Sequence, residues 1–186
     1  MEFSGKKVTV VGTGISGIGA VGLLNAVGAE VVLYDGNEKL KIEDIEKKLG
    51  TYKAEIVLGE LTKELTDSSD LLVISPGVPI DSPVVKAFEA AGVPVWGEVE
   101  LAYAFDKGKV LAITGTNGKT TTTALVGQIV GAYHKDTFVV GNIGNPYTTE
   151  VLKSNKDSYT VAEISSFQLE TVHEFHPLVS ALLNIT

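Results

Sequence analysis

Leu111-Ala-Ile-Thr-Gly-Thr-Asn-Gly-Lys119-Thr-Thr-Thr-Thr-Ala-Leu-Val126 is the stretch whose reading decides the fold. A short apolar run ends in a glycine-flanked turn. A lysine follows, then four threonines, then a helix-compatible apolar pattern. Backbone N–H groups of such a turn, and of the helix N-terminus behind it, point at phosphates. The lysine supplies a mobile positive charge, and the first hydroxyl completes a Mg²⁺ shell. β-Branched residues lose rotamer freedom in a helix, so Thr120 to Thr123 are a poor helix opening for stability alone. The general nucleotide loop places four residues between its glycines. Here Gly115 and Gly118 enclose only Thr116 and Asn117, and Ile113 stands where the first glycine would be. The order of strand, turn, lysine, hydroxyl and helix predicts a compact phosphate loop, against the alternative of a plain strand-to-helix turn.

Outward from this loop, Lys109 to Ile113 reads as the strand that feeds it and Thr120 to Ala132 as the helix that leaves it. Thr137-Phe-Val-Val140 reads as a further strand ending in Gly141-Asn-Ile-Gly-Asn-Pro146. Asn142 there can donate and accept hydrogen bonds at a strand's carboxyl end, or simply turn the chain. Tyr159-Thr-Val-Ala162 closes on Glu163, the layout of an acidic Mg²⁺ ligand in nucleotide-using enzymes, with a solvated strand-end glutamate as the alternative. Ser165 to Glu170 sets polar residues at the mouth of the sheet, and Ser180 to Ile185 reads as the last strand. His173 and His176 could share a helix face, but Pro177 follows at once and no third ligand is in view, which argues against a metal site. The chain stops at Thr186, where a strand would hand over to its loop, so a fragment is expected.

The first half repeats the strand–glycine–helix logic. Lys7-Val-Thr-Val-Val11 leads into Gly12-Thr-Gly14-Ile-Ser-Gly17, a helix-compatible segment from Ile18 to Val27, Gly28, and then Glu30-Val-Val-Leu-Tyr34 ending in Asp35. This is a dinucleotide-type fingerprint. Gly12 permits the tight turn, Gly14 lets a diphosphate approach the backbone, Gly17 allows close packing, and Asp35 can accept from ribose hydroxyls. A glycine turn with no ligand is the alternative. Leu40 to Leu49 reads as a charged helix, Ala54 to Leu58 as a strand, and Asp70 to Ser75 as a buried strand running into Pro76-Gly-Val-Pro79. Prolines bracketing a glycine there fix a rigid loop where ligands of such sheets bind, or merely connect. Pro83 to Ala91 and Glu98 to Phe105 read as helices, Pro94 to Trp96 as a strand, and Trp96 as a packing residue. Asp106-Lys-Gly108 marks the boundary. The expected architecture is α/β: a Rossmann-like unit over 1–107, then an incomplete P-loop-type ATP-binding unit over 108–186.

Of the 186 residues, 44% are hydrophobic and 20% charged, so a packed globular core is expected and disorder is not. The net charge of −8 and the lack of a basic stripe argue against nucleic acid as a partner. Disulfides and thiolate metal sites are excluded, because the chain has no cysteine. No apolar run is long enough to span a bilayer, and Met1 to Lys7 lacks a signal-peptide apolar region, so a cytoplasmic protein without membrane partners is expected.

Gly115-Thr-Asn-Gly-Lys-Thr-Thr121 resembles the ATP loop of the Mur ligases, the amino-acid-adding enzymes of peptidoglycan precursor synthesis, a loop they share with folylpolyglutamate synthases. Gly14-Ile-Ser-Gly17, Gly141-Asn-Ile-Gly144 and Glu163-Ile-Ser-Ser-Phe-Gln-Leu-Glu170 narrow the resemblance to the branch that adds D-glutamate to UDP-N-acetylmuramoyl-L-alanine. The resemblance implies that the first unit binds the UDP part of the sugar substrate and not NAD. Gly14, Ile15, Ser16 and Gly17 would face the diphosphate, and Asp35, Gly36, Pro76 and Gly77 would hold the uridine. Gly115, Thr116, Asn117, Gly118, Lys119, Thr120 and Thr121 would bind ATP. Lys119 would contact the β- and γ-phosphates, and Thr120 and Glu163 would hold Mg²⁺, making Lys119, Thr120 and Glu163 the catalytic set. Asn142 and Ser165 would contact the sugar-peptide near its reacting end. The implied reaction runs through an acyl phosphate that the amine of D-glutamate then attacks. The family also carries a later metal loop, a modified lysine and a C-terminal domain, so the fragment is expected to be inactive alone, with no obligate protein partner. An NAD-dependent oxidoreductase built on Gly12 to Asp35 leaves the lysine loop and Glu163 without purpose. The other alternative is a non-catalytic nucleotide-binding module.

Overall fold

Val8, Val10, Leu33, Leu72 and Val73 come from short β-rich runs and are all buried, as strands covered on both faces require. The computed structural model describes residues 2–186. The first sheet is built from β1 (Lys7–Val11), β2 (Glu30–Asp35), β3 (Glu55–Leu58), β4 (Leu71–Ile74) and β5 (Val95–Gly97). Its strands are parallel in the order β3-β2-β1-β4-β5. The connecting helices are α1 (Ile15–Ala26), α2 (Ile42–Leu49), α3 (Lys63–Ser68) and α4 (Pro83–Ala90), and α5 (Glu98–Tyr103) follows the last strand. The chain winds one way from β1 through β3 and the other way from β4. The crevice at the carboxyl ends of β1 and β4 is therefore the topological switch point, where ligands of such sheets bind.

The second sheet contains β6 (Lys109–Thr114), β7 (Thr137–Gly141), β8 (Tyr159–Glu163) and β9 (Val179–Leu182), parallel in the order β7-β8-β6-β9. Between them lie α6 (Lys119–Tyr133), α7 (Tyr147–Glu150) with a 3₁₀ turn at Val151–Lys153, and α8 (Ser166–Leu169). In this register Glu163 lies opposite Ile113 on one side and Gly141 on the other. The loops after β6, β7 and β8 thus leave from one end of the sheet.

The α/β, Rossmann-like expectation holds for the first sheet, and most expected strands agree to within a residue or two. α1 begins at Ile15 and not Ile18, because Gly14 caps it in extended conformation and Ile15, Ser16 and Gly17 form its first turn. The helix therefore opens directly behind the glycine turn. α3 escaped the sequence reading although Thr62 is an ordinary cap, its side chain accepting from the Leu65 N–H at 3.3 Å. β9 ends at Leu182, and the chain then turns in toward the lysine loop.

The two sheets share apolar packing. One cluster joins Val8, Leu23, Leu24 and Ala102 to Val110, Val140, Tyr147 and Ile164. α1 and α7 meet so closely that a Cβ on Gly19 would sit 2.7 Å from Thr148 Oγ1. Trp96 is a packing residue, set edge-on to Phe3 with ring centroids 6.1 Å apart. Among the described residues no helix is long and apolar enough to cross a membrane.

Candidate functional site

Gly118 heads α6 in the left-handed region, at φ +83°, where a Cβ would be strained. The first bond of the helix runs from Thr122 N–H to Gly118 O at 3.0 Å. The amides of Lys119, Thr120 and Thr121 have no helical carbonyl to reach and form a seat for an anion. The Lys119 ammonium folds over the loop, donating to Gly115 O at 2.7 Å and Thr116 O at 3.2 Å.

The loop is held in shape by Asn184, which the sequence reading missed. Its carbonyl accepts from Thr116 N–H at 3.0 Å. Its side chain accepts from Asn117 N–H at 2.9 Å and donates to Asn117 O at 3.0 Å. The Thr116 and Asn117 amides, expected to point at phosphate, are therefore committed to loop structure, and the free donors lie at the helix end. Only the pairing of β6 with β9 brings Asn184 here, and no local pattern announces that pairing.

Glu163 is 1% exposed. Its Oε1 accepts from Asn142 Nδ2 at 3.0 Å, whereas Oε2 is buried with no hydrogen-bond partner among the described residues. A buried carboxylate oxygen left bare costs free energy unless a cation or donor completes it. Glu163, one strand from the lysine loop and with Thr120 in the first turn of α6, thus fits the expected Mg²⁺ position by its chemistry. Ser165 lies two residues on, but its hydroxyl accepts from Gln168 N–H at 3.3 Å while its own N–H donates to Gln168 Oε1 at 2.8 Å, a capping box for α8. Asn142 and Ser165 both have structural partners that the sequence did not reveal.

In the first unit a Cβ on Gly17 would overlap the Gly12 carbonyl oxygen, whereas the space beside Gly14 is open. Gly17 therefore serves the turn, and Gly14 with the free amides of Ile15 and Ser16 faces outward. Asp35 accepts from Thr13 Oγ1 at 3.0 Å and from Asn37 N–H at 3.0 Å, tying the glycine turn to the loop that begins with exposed Gly36. Pro76 and Gly77 line a hollow of about 580 Å³ closed from the second unit by Phe167 and Glu170. A second hollow of about 530 Å³ lies beside Gly14, between Lys48 and Tyr52 on one wall and Pro146 on the other. Lys48, also missed, donates to Thr13 O at 3.2 Å.

Between the units lie three acids that would read as solvated in sequence. Glu98 is buried, and burial pushes its carboxyl above the ordinary range, partly countered by the hydroxyls of Ser16 and Thr148 and the backbone amides of Thr148 and Tyr147. Glu100 accepts from His173 N–H and Glu174 N–H, both at 2.8 Å, and from Phe175 N–H at 3.1 Å. Asp106 accepts from the Tyr147 and Thr160 hydroxyls, both at 2.7 Å, and burial together with Asp106 pushes the Tyr147 phenol well up. His173 and His176 share no helix; the His173 ring bonds to Val95 O at 2.9 Å.

A parallel sheet with a glycine turn at its switch point, followed by a second parallel sheet with a lysine loop and a buried acid, is an α/β architecture of the class whose loops are shaped to seat phosphates. Residues 6–97 match the Mur ligase MurD-like N-terminal domain, and residues 113–186 match the Mur ligase middle domain. The chain belongs to the Mur ligase family. It is 71% identical over 186 residues to the UDP-N-acetylmuramoylalanine--D-glutamate ligase of Lachnospira eligens, and 58% identical over 187 residues to that of Lachnoclostridium phytofermentans. The alignments cover 100% of this chain and 41% of each relative, so the chain spans about two fifths of their length. Among solved structures, the UDP-N-acetylmuramate:L-alanyl-gamma-D-glutamyl-meso-diaminopimelate ligase from Neisseria meningitides shares the fold, with a TM-score of 0.59 at 18% identity over 98% of this chain and 61% of that one.

Proposed function

We propose that this chain supplies the UDP-sugar-binding unit and the ATP loop of an ATP-dependent ligase that adds D-glutamate to UDP-N-acetylmuramoyl-L-alanine in peptidoglycan precursor synthesis. Mur ligases in general use ATP and Mg²⁺. The observation that carries the proposal is Glu163, buried at the end of β8 beside the lysine loop with one carboxylate oxygen unpartnered. Relatives of up to 71% identity named for this reaction support it.

In this scheme the division between units falls at 107/108, where the chain leaves the first sheet for the second. Gly14, Ile15 and Ser16 receive the diphosphate, Gly17 holds the turn, and Asp35, Gly36, Pro76 and Gly77 flank the uridine. The amides of Lys119, Thr120 and Thr121 and the Lys119 ammonium hold the β- and γ-phosphates of ATP, with Gly115, Thr116, Asn117 and Gly118 shaping the loop. Thr120 and Glu163 are the residues that would hold Mg²⁺, which when bound offsets the charge of the phosphates. Asn142 and Ser165 stand toward the reacting end of the sugar-peptide.

The substrate carboxylate forms a bond to the γ-phosphorus as the bond to ADP breaks. The D-glutamate amine then attacks the acyl carbon, loses a proton and expels phosphate. Two anions must meet in the first step, and Lys119 lowers their repulsion while the helix amides keep the phosphates in line. An enzyme acting on a UDP-sugar and ATP would work in the cytoplasm, the location this reading gives the protein.

Calorimetric titration with UDP-N-acetylmuramoyl-L-alanine, with NAD⁺ in parallel, tests the first unit. Saturable binding of the UDP-sugar alone is the expected result. Binding of NAD⁺ alone would return the glycine fingerprint to an oxidoreductase.

A further inference from the structure

Asn142 touches Glu163 twice. Its N–H donates to the Glu163 carbonyl at 3.0 Å, and its side-chain amide donates to Oε1 at 3.0 Å. The residue before it, Gly141, lies against Glu163 so closely that a Cβ there would overlap the Glu163 carbonyl oxygen. Beyond it the chain folds back, with Gly141 N–H donating to Asn145 O at 3.3 Å and Val140 bridging to Asn145. An asparagine so anchored at both backbone and side chain has little freedom to turn away. A strand-end carboxylate without a partner can rotate and exchange its oxygens; one fixed by a donor on Oε1 cannot.

We infer that Asn142 is a positioning residue for Glu163: by occupying Oε1 it leaves Oε2 as the oxygen offered to a divalent cation. The bare, buried Oε2 is the complementary observation. Outer groups that orient a metal-binding carboxylate commonly change metal affinity by ~10–100-fold when removed. The inference rests on the proposed reading of Glu163 as a cation ligand, and it gives Asn142 a task separate from substrate contact, since the side-chain oxygen stays free of Glu163.

The test is a fluorescence titration of the chain with the N-methylanthraniloyl derivative of ATP, in Mg²⁺ and in EDTA. Wild type, Asn142→Ala and the near-isosteric Asn142→Asp are compared, each checked for folding by circular dichroism. Wild type should bind more tightly in Mg²⁺ than in EDTA. Both variants should keep the EDTA affinity and lose about tenfold or more of the Mg²⁺-dependent gain. A merely structural asparagine would weaken both conditions equally, and that outcome overturns the inference, as does a gain in either folded variant within about twofold of wild type. Wild type with no Mg²⁺-dependent gain refutes the reading of Glu163 itself and the inference with it, so the two failures are distinguishable.

Discussion

Glu100→Ala tests the seam between the two sheets most directly. The carboxylate is 1% exposed and receives three backbone N–H groups, from His173, Glu174 and Phe175. A hydrogen bond to a charged acceptor is worth roughly 1.5–3 kcal/mol net, so three at the low end give about 4–5 kcal/mol. Part is returned because the carboxylate's own desolvation disappears and water can reach some of the freed amides. A loss of about 3 kcal/mol is expected, a large share of the roughly 5–15 kcal/mol that holds a folded protein together. Glu100→Gln keeps the volume and one acceptor but turns an amide donor toward donors, so about 2 kcal/mol should go. Urea unfolding followed by circular dichroism and Trp96 fluorescence measures both, with the m-value unchanged. At this chain length the alanine variant should melt about 6–12 °C lower. A loss below about 1 kcal/mol in Glu100→Ala would mean that the 173–175 backbone finds equally good partners elsewhere, and the assignment of Glu100 as its anchor would be wrong.

Two further outcomes are expected. Glu98 has a folded-state pKa raised by burial above its reference of 4.5, so its stabilising contribution is complete below that value and is lost as pH rises through the folded pKa. Glu98→Gln should therefore gain stability relative to wild type as pH rises from about 4.5 toward neutrality, whereas a difference independent of pH in urea titrations would refute the shift. On the proposed reading, Lys119→Ala should weaken ATP binding by about tenfold or more while leaving UDP-sugar binding within about twofold, because its ammonium bonds only to the Gly115 and Thr116 carbonyls of its own loop. Equal loss of both ligands by calorimetry would show that the loop supports the whole structure and not one site.

The glycine turns, the lysine loop and Glu163 were legible in the sequence because each is fixed by local chemistry: a left-handed backbone, a helix opening, a strand end. The residues that were not legible owe their roles to distant partners. Glu98 and Glu100 stand two apart in a short helix, a spacing that ordinarily leaves at least one acid in water. Both are buried because α5 is wedged between α1, α7 and the 171–176 segment. Asn184 acts on Thr116 and Asn117 across a sheet, and α7 owes its burial to α1 and not to its own pattern. The α1 boundary failed for a local reason: a glycine that caps a helix in extended conformation looks in sequence like part of a loop.

The apolar cluster that runs from β1 and α1 into β6, β7 and β8 has a consequence for how this molecule could arise and be altered. The chain passes from one sheet to the other between α5 and β6, yet the side chains of both sheets fill one interior. Neither sheet has a finished surface of its own where α1 meets α7. Exchanging the first half for that of a distant relative would require recutting the seam at Gly19 and Thr148 along with the loops at the sheet's carboxyl end.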